Sequence, residues 1–171
     1  MLSLRPATPA DAPAIAALAV ASVRAYVWFT PEGWEPPGEE AESQLAGELV
    51  RRLGTNAWGF VADDGDALAG VVTLLPAADA NRPEPDPALV HLWQLFVAEP
   101  HWGTGVAVRL HADAIASAAA SGFATARLFT PADQTRSRRF YEREGWVSVG
   151  DRFFDERIGF DVVEYRRPLP R

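Results

Sequence analysis

The chain has no cysteine and no lysine, and only three histidines in 171 residues. Without cysteine there can be no disulfide, no thiolate metal site and no cysteinyl nucleophile. The histidines, His91, His101 and His111, follow no common zinc spacing, so no metal is expected. The Lys-Ser/Thr pair of a P-loop is missing as well. No stretch of about 18 apolar residues is free of charge and proline, so a membrane span is not expected. The opening "MLSLRPATPADAP" lacks the basic-then-apolar layout of a signal peptide. These absences point to a soluble, cytoplasmic protein.

What is present suits one globular unit. Hydrophobic residues make up 48% of the chain, enough at this length to bury a core in a single domain over residues 1–171. The formal net charge of −7 repels nucleic acid and anionic membranes, and it serves solubility equally well.

The pattern predicts elements in the order β-α-α-β-β-β-α-β-α-β-β. A short strand at residues 1–5 precedes an alanine-rich helix with Asp11 as N-cap and Pro13 in its first turn. After an aromatic, proline-rich segment (28–40), a helix at 41–53 carries Leu45, Leu49 and Leu53 on one stripe and stops at Gly54. Strands at 57–62 and 67–75 form a hairpin through "DDGD". A proline-studded loop (76–87) leads to a strand at 88–97 and a helix from Thr104 to about Ser121. A strand at 124–130, a helix at 135–144 and strands at 146–154 and 160–167 complete the chain. The fold class is mixed α/β of the α+β type, with a mostly antiparallel sheet flanked by helices.

The stretch "EPHWGTGVAVRLH" (99–111) places Gly103 and Gly105 where a strand hands over to a helix. Helix N-termini carry unpaired N–H groups and a positive dipole end, and glycines let a ligand approach the backbone closely. Such a place suits a phosphate or pyrophosphate; a simple tight turn reads the same way. A dinucleotide fingerprint wants a third glycine, where this chain has Val108.

Together with "DQTRSRRFYEREGW" (133–146), this stretch resembles the GNAT family of acyl-CoA-dependent N-acyltransferases. Gly103-Thr104-Gly105-Val106-Ala107 matches the family's glycine motif, and Gln134, Ser137, Phe140, Tyr141, Gly145 and Trp146 occupy the places of its second motif. Trp102 stands where the family usually has arginine or glutamine, and Gln134 where it has asparagine. The element order matches the family along nearly the whole chain.

The resemblance implies an acetyl-CoA-dependent N-acetyltransferase whose acceptor is a small-molecule or peptide amine. The backbone of Leu95 and Val97 would hold the pantetheine arm like an added strand, with an N–H near Leu95 polarising the thioester carbonyl. The pyrophosphate would rest on the N–H groups from Gly103 to Ala107, beside Trp102. Gln134, Ser137, Arg138 and Tyr141 share one helix face, which could line the cofactor. There the Tyr141 phenol could protonate the departing thiolate. His91, six residues before Val97, is the candidate base, with an ordered water as the alternative. His101 is a weaker candidate for touching phosphate, and His111 is expected on a helix surface.

The aromatic segment supplies acceptor-side candidates, Trp28, Phe29 and Trp34, near Tyr26 and the carboxylates Glu32, Glu35, Glu39 and Glu40; Trp93 is a fourth. Aromatic walls with carboxylates suit an organic cation, and an aromatic mini-core capped by solvated glutamates fits equally well. Phe153, Phe154 and Phe160 could complete a homodimer sheet or the monomer's own core. The rival function is a noncatalytic acyl-CoA-binding sensor or interaction module on the same fold. It is kept open by the unusual Trp102 and Gln134.

Overall fold

The computed structural model describes residues 2–80 and 86–170. Elements form where strand-spaced or helix-spaced apolar residues can be buried. In chain order they are β1 (Ser3–Pro6), α1 (Ala12–Arg24), α2 (Ala41–Arg52), β2 (Trp58–Asp63), β3 (Leu68–Pro76) and β4 (Leu89–Val97). They continue with α3 (Val106–Ala120), β5 (Thr125–Pro131), α4 (Thr135–Arg143), β6 (Val147–Asp155) and β7 (Phe160–Pro168). This is the order the pattern predicts. The centre of the proline-studded loop, residues 81–85, lies outside the described residues.

The seven strands form one sheet in the order β1-β2-β3-β4-β5-β7-β6. Among the described residues only the strands β4 and β5 run parallel; every other neighbouring pair of these strands is antiparallel. A parallel pair needs a crossover, and α3 provides it. Helices α1 and α2 cover one face, where Ile15, Ala16, Leu49 and Leu53 pack on Val61 and Val71. Helices α3 and α4 cover the other, where Val106, Leu110 and Tyr141 pack with Val72, Leu74, Leu92 and Leu128. Ile15 and Leu49 are fully buried. Each contributes about 1.5–3 kcal/mol by leaving water, which is what holds the α1–α2 pair on the sheet.

The segment Pro9–Trp28 is long and apolar enough, by length and composition, to cross a bilayer. Its apolar stripe, Ile15, Ala16, Ala19 and Val20, is buried against the rest of the protein, as an amphipathic core helix requires. Asp11 is the N-cap residue of α1, as expected, yet its carboxylate caps nothing in that helix. Pro9–Asp11 first makes a 3-10 turn, so Asp11 reaches back to accept the Thr8 N–H at 2.8 Å. The same carboxylate accepts two bonds from Arg5, at 2.9 and 2.8 Å. Those bonds, more than any other cause, hold its pKa down at about 2. At its other end α1 tightens into a 3-10 turn, Ala25–Trp28, which brings Tyr26 to 4.8 Å from the Phe29 ring and 6.4 Å from the Phe160 ring.

Candidate active site

Two lips of a cleft come directly from the strand registers. The parallel pair β4–β5 holds for three positions only, Leu89 with Thr125, Val90 with Ala126 and His91 with Arg127. Past His91 and Arg127 the two strands part. On its other edge β4 stays paired with β3, through a bulge that inserts Trp93 between Leu92 and Gln94. The Ala98 N–H bonds the Ala69 carbonyl at 2.9 Å. Backbone direction alternates along a strand, so Phe96 and Ala98 face β3, while Leu95 and Val97 turn their N–H and C=O groups into the gap. Their side chains are half-buried against the α3 face. An extended chain with amide groups fits this edge as an added strand would.

The cleft's β4 lip ends on the Gly103–Gly105 turn. Gly103 has φ +78° and Gly105 φ +87°, a region that favours glycine. A Cβ built on either meets nothing within 4 Å. Backbone handedness therefore demands both glycines, and open space lies over the backbone. Helix α3 starts at Val106 instead of Thr104, because Gly105 in the left-handed region cannot lie inside a helix. The Thr104 hydroxyl donates to the His101 carbonyl at 2.7 Å, bracing the turn. The first N–H groups of a 15-residue helix then point out of its end with no partner inside it. Trp102 lies across the turn, its indole N–H donating to the Val97 carbonyl at 2.8 Å.

The other lip belongs to α4. The Ser137 hydroxyl donates to the Gln134 side-chain oxygen at 2.7 Å and lies 2.8 Å from the Thr130 hydroxyl of β5. Arg138 is turned away, donating to the Tyr165 hydroxyl at 3.1 Å and to the Ala132 carbonyl at 3.0 Å. Tyr141 is buried at 7% exposure. Burial first, and then the nearby Tyr26, push its phenol above the ordinary tyrosine value, so it stays protonated at neutral pH.

Tyr26 completes this lip, a role that its sequence context does not mark. It follows α1, on the opposite face of the sheet from α4. Its phenol nonetheless faces the Gln134 side chain and Tyr141. The two can meet only because β4 and β5 have separated between them. Burial raises the Tyr26 pKa to about 12, so both phenols are neutral hydrogen-bonding groups. The aromatic segment around residue 28 signalled a pocket wall, but no local pattern distinguishes Tyr26 from its neighbours.

The histidines divide three ways. His91 is buried at the last register that β4 shares with β5, its ring 5.6 Å from Phe129. His101 Nε2 lies 3.1 Å from an Asp64 carboxylate oxygen. His111, expected on a surface, is buried instead, because α3 turns it toward Trp146 and Phe140. Its Nε2 accepts the Trp146 indole N–H at 2.9 Å. Burial chiefly, and then the charge of Arg167, lower its pKa to about 4.

The acceptor-side candidates also separate. Phe29 lines a cavity of about 110 Å³ with Phe154 and Phe160. Asp133, Asp161 and Arg152 edge the same cavity, and Arg152 pairs with both carboxylates, at 3.0 and 2.8 Å. Trp34 lies tilted against Phe160 at 5.8 Å and donates its indole N–H to the Ile158 carbonyl at 2.7 Å. Trp28 is 79% exposed against the edge of Phe29. Trp93, displaced by the bulge, packs with the α1–α2 cluster under the Arg52 guanidinium. Phe160 thus belongs to the buried core, while Phe153 and Phe154 remain exposed on the edge strand β6.

Comparison with known proteins places this arrangement. The family model described as Acetyltransferase (GNAT) family matches residues 20–146. No curated protein sequence matches the chain. Among solved structures, a GCN5-related N-acetyltransferase from Kribbella flavida superposes with a TM-score of 0.73 at 23% identity, over 98% of each chain. The PaiA N-acetyltransferase from Thermoplasma acidophilum, solved with coenzyme A, gives 0.71 at 16% identity, over 96% of this chain and 98% of that one. The ribosomal-protein-S18-alanine N-acetyltransferase from Escherichia coli gives 0.70 at 15% identity, over 100% and 96%. At such identities the likeness is one of fold.

Proposed function

The chain belongs to the acetyltransferase (GNAT) family, and on that premise we propose that it transfers an acetyl group from acetyl-CoA to an amine by direct attack. The observation that carries this reading is the parted β4–β5 pair. It turns the Leu95 and Val97 backbone into a cleft that ends on the open Gly103–Gly105 turn. A long, amide-bearing arm tipped with phosphates fits that shape. Acetyl-CoA supplies the activated acyl group.

The chain's own residues do the rest. The Leu95 N–H, directed into the gap, donates toward the carbonyl oxygen as negative charge develops there, and a fixed backbone donor needs no reorganisation. The N–H groups from Gly103 to Ala107 cradle phosphate oxygens. Tyr141 keeps its proton at neutral pH and delivers it to the departing thiolate. Gln134, fixed by Ser137, presents its side chain to the Tyr26 phenol. An ammonium acceptor must first shed a proton. His91, where the strands part, takes it directly or through an ordered water. On the acceptor side, Phe29, Phe154 and Phe160 wall the small cavity, which suits an amine carried on a compact apolar body.

The test is free-thiol release from acetyl-CoA by the purified protein, with polyamines, amino acids, aminoglycosides and short peptides as acceptors. A protein without cysteine adds no thiol background. Release with one acceptor class, with the acetylated amine identified by mass, is the expected result. Acetyl-CoA binding without turnover on any amine would favour a cofactor sensor, and absence of binding would remove the reading.

A further inference from the structure

A side-chain contact between Trp102 and Arg136 bridges the cleft and has no part in the proposed mechanism. Trp102 follows β4 and Arg136 stands in the first turn of α4, so each belongs to a different lip. The Arg136 guanidinium carbon lies 4.1 Å from the centre of the Trp102 ring, within cation–π range. The edge of the same ring is fixed by its bond to the Val97 carbonyl. The ring is thus a platform anchored to the β4 lip that carries a cation from α4.

The state of that cation indicates what it meets. Arg136 is exposed, and among the described residues no carboxylate pairs with it. Arg138 on the same helix is held by the Tyr165 hydroxyl and a carbonyl, and Arg152 by two aspartates. Stacking engages the face of a guanidinium and leaves its in-plane N–H donors free for a bidentate oxyanion. In a chain of net charge −7, a guanidinium left unneutralised beside the Gly103–Gly105 turn is a specific feature.

We infer that Arg136, seated on Trp102, is the side-chain ligand of the cofactor's phosphates and supplies from α4 the positive charge that a tryptophan at position 102 cannot. This rests on the acyl-CoA reading and adds a residue that the sequence motifs do not mark.

Equilibrium binding of CoA and of pantetheine, which shares the arm and lacks the phosphates, tests it. The proteins compared are the unaltered chain, Arg136→Gln and Arg139→Gln. Arg139 is exposed on the same helix, so its replacement makes the same change of charge. Arg136→Gln is expected to weaken CoA binding about tenfold, the low end for a hydrogen bond to a charged group. It should also flatten the salt dependence of CoA binding and leave pantetheine binding unchanged. Arg139→Gln should bind both as the unaltered protein does. Unchanged CoA affinity in Arg136→Gln, or equal losses for CoA and pantetheine, would overturn the inference. So would an equal loss of CoA affinity in Arg139→Gln. If the unaltered protein binds no CoA, the acyl-CoA reading falls and takes this one with it. CoA binding that is indifferent to Arg136 sinks this inference alone.

Discussion

The two lips of the cleft are built from different material. The β4 lip offers backbone: the Leu95 and Val97 peptide groups, then the turn at Gly103 and Gly105. The α4 lip offers side chains: Gln134, Ser137 and Tyr141, joined through the gap by Tyr26. A backbone lip tolerates exchange of side chains but not loss of its dihedral angles. A side-chain lip behaves the other way round, and each lip can be damaged in a manner that spares the other.

The largest effect is expected on the α4 lip. Tyr141→Phe should lower kcat about a hundredfold, the low end for loss of a general acid. The KM for acetyl-CoA should stay nearly constant, because the phenol acts on the departing thiolate and takes no part in holding the cofactor. Steady-state kinetics with an identified acceptor would show it, and unchanged turnover would remove Tyr141 from the chemistry.

Next comes the bond that ties the lips together behind the cleft. His111 of α3 accepts from Trp146, which lies between α4 and β6. A donor-only indole requires that imidazole nitrogen to be unprotonated. The folded state holds the His111 pKa at about 4, against 6.5 ordinarily, so between those values the unfolded chain binds the extra proton. This contribution is complete above pH 6.5 and is lost as the pH falls toward 4, on the order of 3 kcal/mol. Urea unfolding across that range should show stability declining with acidification, and His111→Phe should flatten this part of the curve. A flat profile in the unaltered protein would contradict the neutral, bonded imidazole.

On the backbone lip, Gly105→Ala forces a Cβ onto φ +87°, at a cost of about 1–2 kcal/mol. Because the space above is open, the loss comes from strain alone and not from a clash. Denaturant unfolding together with CoA affinity should fall, while kcat on bound substrate changes little. The smallest effect is expected from Leu95→Met, a volume-conserving change that costs less than about 1.5 kcal/mol. CoA affinity should survive it, since the peptide group does the binding; a large loss would show that the side chain does part of that work.

The backbone lip was readable in sequence because glycine spacing at a strand-to-helix junction reports dihedral angle directly. The order of elements was readable for a related reason, since strand and helix periods differ along the chain. Sequence pattern did not show the bulge at Trp93, which arises from pairing with β3 and sent that ring to the α1–α2 face. Nor did it show Tyr26 opposite Tyr141, because the meeting depends on two strands parting after three registers. His111, expected on a surface, shares a face with Ala114, Ile115 and Ala118 at i+3, i+4 and i+7, so helix spacing accounts for its burial. Its indole partner arrives from beyond α4, and no local pattern marks it. Arg136 lies beside the matched motif positions, and its stacking partner sits 34 residues away in the chain.

The parting of β4 from β5 leaves amide protons at Leu95 and Val97 with no strand to hold them, in the middle of a seven-stranded sheet. Elsewhere in that sheet the interior amides are locked in ladders and exchange with solvent deuterium only through larger opening. These two should therefore exchange early in the empty protein and slow sharply once an arm is laid along the edge. They form a built-in occupancy gauge, legible by hydrogen exchange without any substitution or label.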